Sequence, residues 1–473
     1  MDFFFPYILM VQITCVKKEK MVSRKKEEEI CDQVPHEEEE EDLISKLPES
    51  LISEILYHLP TRDAVRTSAL STRWRNLWQS VPTLDLSYYR FAQFHAFESF
   101  VKRFLWSNDT ESQIRKLRLR FGYHQRYDMC HCDVTSWIDA VTTRRIQHLE
   151  VHGFRDSWMH IPIPQSLYTC EKLVHLRLYE VALRYAEFVS LPCLKVMHLQ
   201  NNKYYDETTL QRLISGCPIL EDLTIITYSE LKKPDVLQVR SHTLKRIHIY
   251  HDFPLVVIDA PLLQCLRTSV SSPKNLEIVN LSSSARLDID FPFDCARYSS
   301  SMVHDILTDV SSVRELVISN VIWKEIFEYS KSGPVLQFCH LSRLNVKFSK
   351  SDLEMLPTLL GSCPKLEFFV LELVTDNRFM CRNKKNVEPN FSTVPQCLVS
   401  SLKYVEWKRQ IPGYEGEVEL VRYLLKNSKI LEKLKLDVYY TEMAKCAFLQ
   451  ELLTMPRCST VCEVHCSVIP IKK

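Results

Sequence analysis

Along residues 43–59, apolar side chains recur at Leu43, Ile44, Leu47, Ile52, Ile55, Leu56 and Leu59. Steps of three and four place them on one stripe of a helix. Pro48 with Glu49 suits a first turn, because proline gives up no needed amide and glutamate complements the helix dipole. Pro60 ends that helix, Thr61 stands where a cap for the next belongs, and Asp63 falls in its first turn. The pattern predicts a second helix over about residues 62–70 and, after Ser71 and Thr72, a third over about 73–78. Three helices in so short a span enclose little, so much of their apolar surface is expected to serve a partner.

Beyond Leu84 the period changes to apolar-x-x-apolar-x-apolar. It runs through Ile114/Leu117/Leu119, Ile146/Leu149/Val151, Leu173/Leu176/Leu178, Leu194/Met197/Leu199, Leu220/Leu223/Ile225 and Leu244/Ile247/Ile249. After a poorer stretch between Leu263 and Ile289 it resumes at Val313/Leu316/Ile318, Leu341/Leu344/Val346, Leu366/Phe369/Leu371, Leu402/Val405/Trp407 and Leu431/Leu434/Leu436. Steps of about 20–30 residues are those of leucine-rich repeats, each a short strand, a turn and a return segment stacked on the next unit. Ser215-Gly216-Cys217-Pro218 and Gly361-Ser362-Cys363-Pro364 mark points where a helical return ends before a strand. The expected fold class is therefore α/β: a short three-helix module followed by an irregular solenoid, a horseshoe with its parallel strands on the concave face. The polar residues between the last two apolar members, Arg118, Glu150, Arg177, His198, Thr224 and His248, face outward by the strand period. They are candidates for reading a substrate, or simply for solubility.

Composition narrows the chemistry. Only seven glycines occur in 473 residues, too few and too scattered to build a phosphate-cradling loop. Seventeen cysteines, spread through apolar positions, suit buried thiols in a reducing compartment, hence an intracellular protein of nucleus or cytoplasm. His124, Cys130, His131 and Cys132 are packed too tightly for the usual zinc bite, so no metal or other cofactor is expected. Sixty basic against 59 acidic residues leave no global field for nucleic acid or an anionic membrane. The apolar run 3–11 begins after Asp2, contains Pro6 and is about half a membrane span, so it reads as an unstructured leader, with Met21 a candidate alternative start. The charged stretch 17–42 cannot offset its ordering entropy and reads as a flexible tail. No nucleophile with a paired base stands out.

The helical segment resembles the F-box. The matching elements are Leu47-Pro48, Ile52, Ile55-Leu56, Leu59-Pro60, Val65, Leu70-Ser71, Arg73-Trp74-Arg75 and Leu77-Trp78. The chain is similar to the plant F-box family that carries leucine-rich repeats and a C-terminal FBD region. Its late signature is Val394-Pro395-Gln396-Cys397-Leu398, Ser401-Leu402-Lys403, Gly416, residues 423–427 and Met455-Pro456-Arg457-Cys458-Ser459. Leu70 stands where many members have valine, and Trp407 at a strand position that is usually aliphatic.

The resemblance implies a charged leader over 1–42, the F-box over 43–82, repeats over 83–392, an FBD region over 393–466 continuing the array, and a tail over 467–473. It also implies the substrate-recognition subunit of an SCF-type ubiquitin ligase, non-catalytic, docking on a Skp-family adaptor and through it on a cullin and a RING subunit. Leu47, Pro48, Ile52, Ile55, Leu56, Leu59, Pro60, Val65, Leu70, Trp74, Leu77 and Trp78 would then form the adaptor contact. Ile55 and Val65 could equally hold the helices together, and Arg73 and Arg75 could simply complete a helix dipole. A non-degradative scaffold and a small-ligand co-receptor remain alternatives on the same architecture.

Overall fold

The computed structural model describes residues 47–91, 93–106, 114–122, 134–154, 160–227, 235–251, 253–270, 275–290, 311–330, 336–348, 353, 355–373, 391, 393–411, 415–438 and 442–468. The leader, the charged stretch, Leu43, Ile44 and the group His124, Cys130, His131 and Cys132 lie outside these residues. The chain divides into two compact units, residues 1–217 and 218–473.

The first unit opens with α1 (Glu49–His58), which begins at the Pro48 carbonyl, and α2 (Thr61–Arg66). The expected third helix is instead a pair of 3-10 turns, Thr72–Trp74 and Leu77–Ser80, which bring both tryptophans toward α1 over a few residues. Thr61 does not cap α2. Its hydroxyl is buried and accepts the backbone amide of Asp85 at 2.8 Å, in the first strand after the helices.

That strand is β1 (Thr83–Ser87), followed by α3 (Phe94–Trp106), β2 (Lys116–Gly122), α4 (Val134–Thr142) and β3 (His148–Phe154). Then come β4 (Ile161–Pro162), β5 (His175–Tyr179), β6 (Val181–Leu183), β7 (Val196–Gln200), β8 (Lys203–Tyr204) and α5 (Thr209–Ser215). Strands β1, β2, β3, β5 and β7 pair in parallel, in that order, while β4, β6 and β8 form a narrow second sheet. Inside, Phe97 of α3 meets Phe121 of β2 at 5.7 Å and Trp137 of α4 at 6.0 Å, edge to face.

Asn202 closes the turn after β7. Almost completely buried, it accepts the Val181 amide at 3.1 Å and donates to the Leu178 carbonyl at 3.0 Å. It thereby gives a hydrogen-bond partner to two backbone groups of the preceding repeat.

The second unit continues the scheme with β9 (Asp222–Ile226), β10 (Val236–Arg240), β11 (Arg246–His251), β12 (Leu255–Ala260), β13 (Cys265–Val270), β14 (Leu276–Leu281), β15 (Arg286–Asp290) and β16 (Glu315–Ile318). Next are α6 (Asn320–Ser330), β17 (Arg343–Phe348), α7 (Leu356–Gly361), β18 (Phe368–Leu373), α8 (Gln396–Ser400) and β19 (Tyr404–Ile411). The unit ends with α9 (Glu415–Asn427), β20 (Lys433–Val438), α10 (Glu442–Thr454) and β21 (Glu463–Val468). Its main sheet is again parallel, running β9, β11, β13, β15 and then β16 to β21 without an interloper.

Every apolar member of the eleven units named from the sequence is buried. The poorer stretch holds two further strands of the main sheet, β13 and β15, in whose repeats Thr268 and Ser284 stand at an apolar place of the pattern. Val81/Leu84/Leu86 around β1 is another repeat of the same form, buried throughout.

Replacing Asn202 by Ala should remove the side-chain partner of two backbone groups and cost about 2–6 kcal/mol, taking about 1–3 for each group. Urea denaturation of the two proteins measures it, and an unchanged midpoint would show that the turn does not depend on this side chain.

Candidate functional site

The helical segment buries one core, formed by Ile52, Leu56, Leu59, Ala64, Trp74 and Val81, with Leu47, Ile55, Tyr57, Leu70, Leu77 and Trp78 packed around it. Burial divides the twelve candidate adaptor residues into two sets. Ile52, Leu56, Leu59 and Trp74 are enclosed by the chain itself. Leu47, Ile55, Pro60, Val65, Leu70, Leu77 and Trp78 are half-buried, and Pro48 is exposed. Trp78 rests on Phe104 of α3 with rings 6.5 Å apart and nearly parallel.

Leu51, which the sequence stripe passes over, is 51% exposed. It lies four residues before Ile55, so the two share a helical face. Its signal was the apolar pair Leu51-Ile52, too wide for a single buried stripe.

A second surface lies on the sheet of the first unit. The parallel register sets Asp85, Arg118, Glu150, Arg177 and His198 side by side. Four of the six substrate candidates are thus neighbours. The other two, Thr224 and His248, are paired with each other in the second unit, beside Arg267 and Asp288.

In this row Arg118 bridges Asp85 at 3.0 Å and Glu150 at 2.9 Å, while Arg120 of the next row also reaches Asp85 at 3.1 Å. Glu150 accepts from His152 at 2.7 Å and lies 3.9 Å from Arg177. Burial opposes ionisation of Glu150, but the His152 hydrogen bond and Arg118 outweigh it and bring the carboxyl down to about 2. The row is an alternating ion ladder between strands.

Two flanking rows complete the surface. On one side Lys116, His148 and His175 are in register, with the imidazoles sharing a hydrogen bond at 2.8 Å. Burial, then Lys116 and Arg177, hold His148 below the ordinary imidazole pKa. Burial and the neighbouring Arg118 likewise lower Lys116, whose ammonium sits 5.3 Å from the Tyr57 ring. On the other side Arg120, His152, Tyr179 and Gln200 are in register, His152 stacked on Tyr179 at 4.0 Å.

At the end of that last row opens a cavity of about 320 Å³, lined by Tyr89, Arg120, Gly122, His152, Gly153, Tyr179, Glu180 and Gln200. Two of the few glycines are needed here. Gly122 has φ +70°, and a Cβ on it would strike the Tyr89 ring, whereas a Cβ on Gly153 would lie 2.1 Å from the Glu180 carbonyl oxygen.

Thiol chemistry finds no support in the buried cysteines. Burial pushes Cys217 and Cys397 up to about 12 and Cys363 well above its ordinary value, which withholds the nucleophilic thiolate at neutral pH. Among the described residues no group of three His, Cys, Asp or Glu side chains could hold a metal ion, and no helix is long and apolar enough to cross a membrane.

Three family models match the chain: the F-box domain over residues 44–85, the LRR repeats of FBD-associated F-box protein At5g56370 over 134–289, and FBD over 389–436. F-box/FBD/LRR-repeat protein At1g51370 of Arabidopsis thaliana is 57% identical over 94% of this chain and 99% of its own length. F-box/FBD/LRR-repeat protein At5g53840 of the same plant is 45% identical over 92% of this chain and 98% of its own length. FBD-associated F-box protein At5g22730, also from Arabidopsis, is 39% identical over 90% of this chain and 94% of its own length. An F-box domain implies, in general, the substrate-adaptor role of SCF ligases through a Skp1-like protein. A helical segment with a half-exposed apolar face, repeats stacked in parallel register and an FBD segment within the second unit's sheet coincide with these matches, and the chain belongs to the plant F-box/FBD/LRR-repeat family.

Proposed function

We propose that this chain is the substrate-recognition subunit of an SCF-type ubiquitin ligase, with the F-box within residues 43–82 and a receptor surface on the repeats that follow. The observation that carries the reading is the apolar strip Leu47, Pro48, Leu51 and Ile55, open on one side of α1 while Ile52 and Leu56 fill the core on the other. A soluble helix gains nothing from Leu51 in water, whereas covering it and its neighbours returns about 1.5–3 kcal/mol per large side chain.

In this reading Leu47, Pro48, Leu51, Ile55 and Pro60 meet the Skp-family adaptor, and Leu70, Leu77 and Trp78 extend the contact. Ile52, Leu56, Leu59 and Trp74 act from behind by fixing the shape of that face, and Val65 flanks it. The adaptor brings the cullin and RING subunit, and the repeats hold a protein substrate close to the charged E2, so a substrate lysine reaches the thioester at high effective concentration. The chain itself makes no bond.

Leu51→Asp with Ile55→Asp should abolish capture of a Skp-family adaptor while leaving the melting temperature within a few degrees, since both side chains are partly solvated already. Trp74→Ala should instead cost about 3–5 kcal/mol of stability. Trp74→Phe should cost much less, because the indole N–H is buried without a partner among the described residues. Adaptor pull-down beside thermal melting separates contact from support, and undiminished capture by the double aspartate variant would sink the interface.

The receptor surface is held ready by the ion ladder, which sets an acid limit. Glu150 has a folded pKa of about 2 against an ordinary 4.5. Its carboxylate therefore stabilises the fold fully above about pH 4.5, and that contribution, about 2–3 kcal/mol, drains away as pH falls toward 2. Glu150→Gln should lose stability at pH 7 and show a shallower decline between pH 5 and 2. Denaturation curves across that window test this, and equal acid sensitivity in both proteins would deny Glu150 the role.

A further inference from the structure

The surface rows of the first unit carry more positive charge than their pairing uses. Lys116, Arg118, Arg120 and Arg177 face outward with Asp85 and Glu150. Both carboxylates are consumed within the face, Asp85 by Arg118 and Arg120, Glu150 by Arg118 and His152. Lys116 sits over the Tyr57 ring, within the fields of Asp85 and Glu150 and of Arg118 and Arg177, and Arg177, 47% exposed, makes only a distant approach to Glu150. His148 and His175 continue the row of Lys116, and Arg177 stands two residues beyond His175 on β5, in the adjoining row; the imidazole hydrogen bond turns Nδ1 of each ring toward the other. An unbalanced electropositive strip thus crosses three neighbouring strands, although the whole chain carries a net charge of only +1.

We infer that this strip binds an acidic peptide segment of the partner protein, whose carboxylates pair with Lys116 and Arg177 across the histidine pair. The inference rests on the proposed receptor role of the repeats and names the class of substrate it takes. Two strand spacings of about 4.8 Å and a two-residue offset of about 6.6 Å along β5 separate the backbones of Lys116 and Arg177 by roughly 12 Å, close to the ~13 Å between side chains four residues apart on one face of an extended peptide. Nucleic acid fits less well. Asp85 and Glu150 stand inside the same face, Glu180 rims the adjoining cavity, and a phosphate backbone needs an unbroken run of cations. Charge complementarity of this kind sets specificity and association rate more than raw affinity, so binding should be salt-sensitive.

The test uses the full-length chain and three fluorescent probes: a ten-residue glutamate-rich peptide, its lysine-rich counterpart and a single-stranded RNA of similar charge. Fluorescence anisotropy should show binding of the acidic peptide alone, weakening about tenfold between 50 and 300 mM salt. Lys116→Gln with Arg177→Gln should reduce that affinity about tenfold, with melting temperature and adaptor capture unchanged. Lys426→Gln with Lys429→Gln, two exposed lysines of the second unit, should leave it intact. Equal loss in both double variants would reduce the effect to diffuse electrostatics and overturn the site. Tighter binding of the RNA, or no effect of the first pair, would overturn it as well. Adaptor capture is read separately with the Leu51 and Ile55 variant, so failure of the strip and failure of the ligase reading give different results.

Discussion

A repeat of this size cannot bury its own inward row, and that shortage governs the architecture. Leu117 and Leu119 are sealed only because Leu149 and Val151 stand beside them on the next strand, and those only because Leu176 and Leu178 follow. Since side chains alternate faces along a strand, a slip of one residue would drive this row into water and the charged row into the core. Register is therefore fixed by burial, and the outward row inherits it without contributing to it. Asn202 serves the same constraint from the turn, occupying backbone groups that would otherwise oppose burial.

The first strand carries a second duty. The backbone amide of Asp85 is held by Thr61 of α2, and its carboxylate is held by Arg118 and Arg120 of β2. One buried residue thus ties the helical segment to the sheet through its main chain and to the ion ladder through its side chain. The helical segment and the outward row of the first unit's sheet are therefore joined through a single residue.

Periodicity made the inward row legible, since every apolar member of the eleven triplets is buried. It faltered where polar residues took a place in the triplet: Thr268 is buried in β13, and before β15 Ser284 is exposed while the neighbouring Ala285 is buried instead, so those repeats read as a gap. The helical segment was legible in its prolines but not in its finer form. Thr61 looks like a cap because threonine commonly is one, yet its hydroxyl turned to a strand amide 24 residues away. Leu51 was missed because a stripe of three-and-four spacing identifies what is buried, whereas a partner surface consists of apolar residues left over. Outward neighbours were the least legible, because Asp85 and Arg118 are 33 residues apart and only the intervening loop lengths bring them together.

Pairing within the outward row also bears on recognition. A flexible arginine pays side-chain entropy when a partner arrests it, but Arg118 and Arg120 are already arrested by Asp85 and Glu150. Those residues form a stiff, nearly neutral frame, poor at attracting anything alone. Lys116 and Arg177, less tightly held, keep their charge available at its edge. On the proposed reading such a face separates rigidity from attraction: substitutions at the loosely held cations would retune the partner while the ladder and the buried row behind it keep the strands in place.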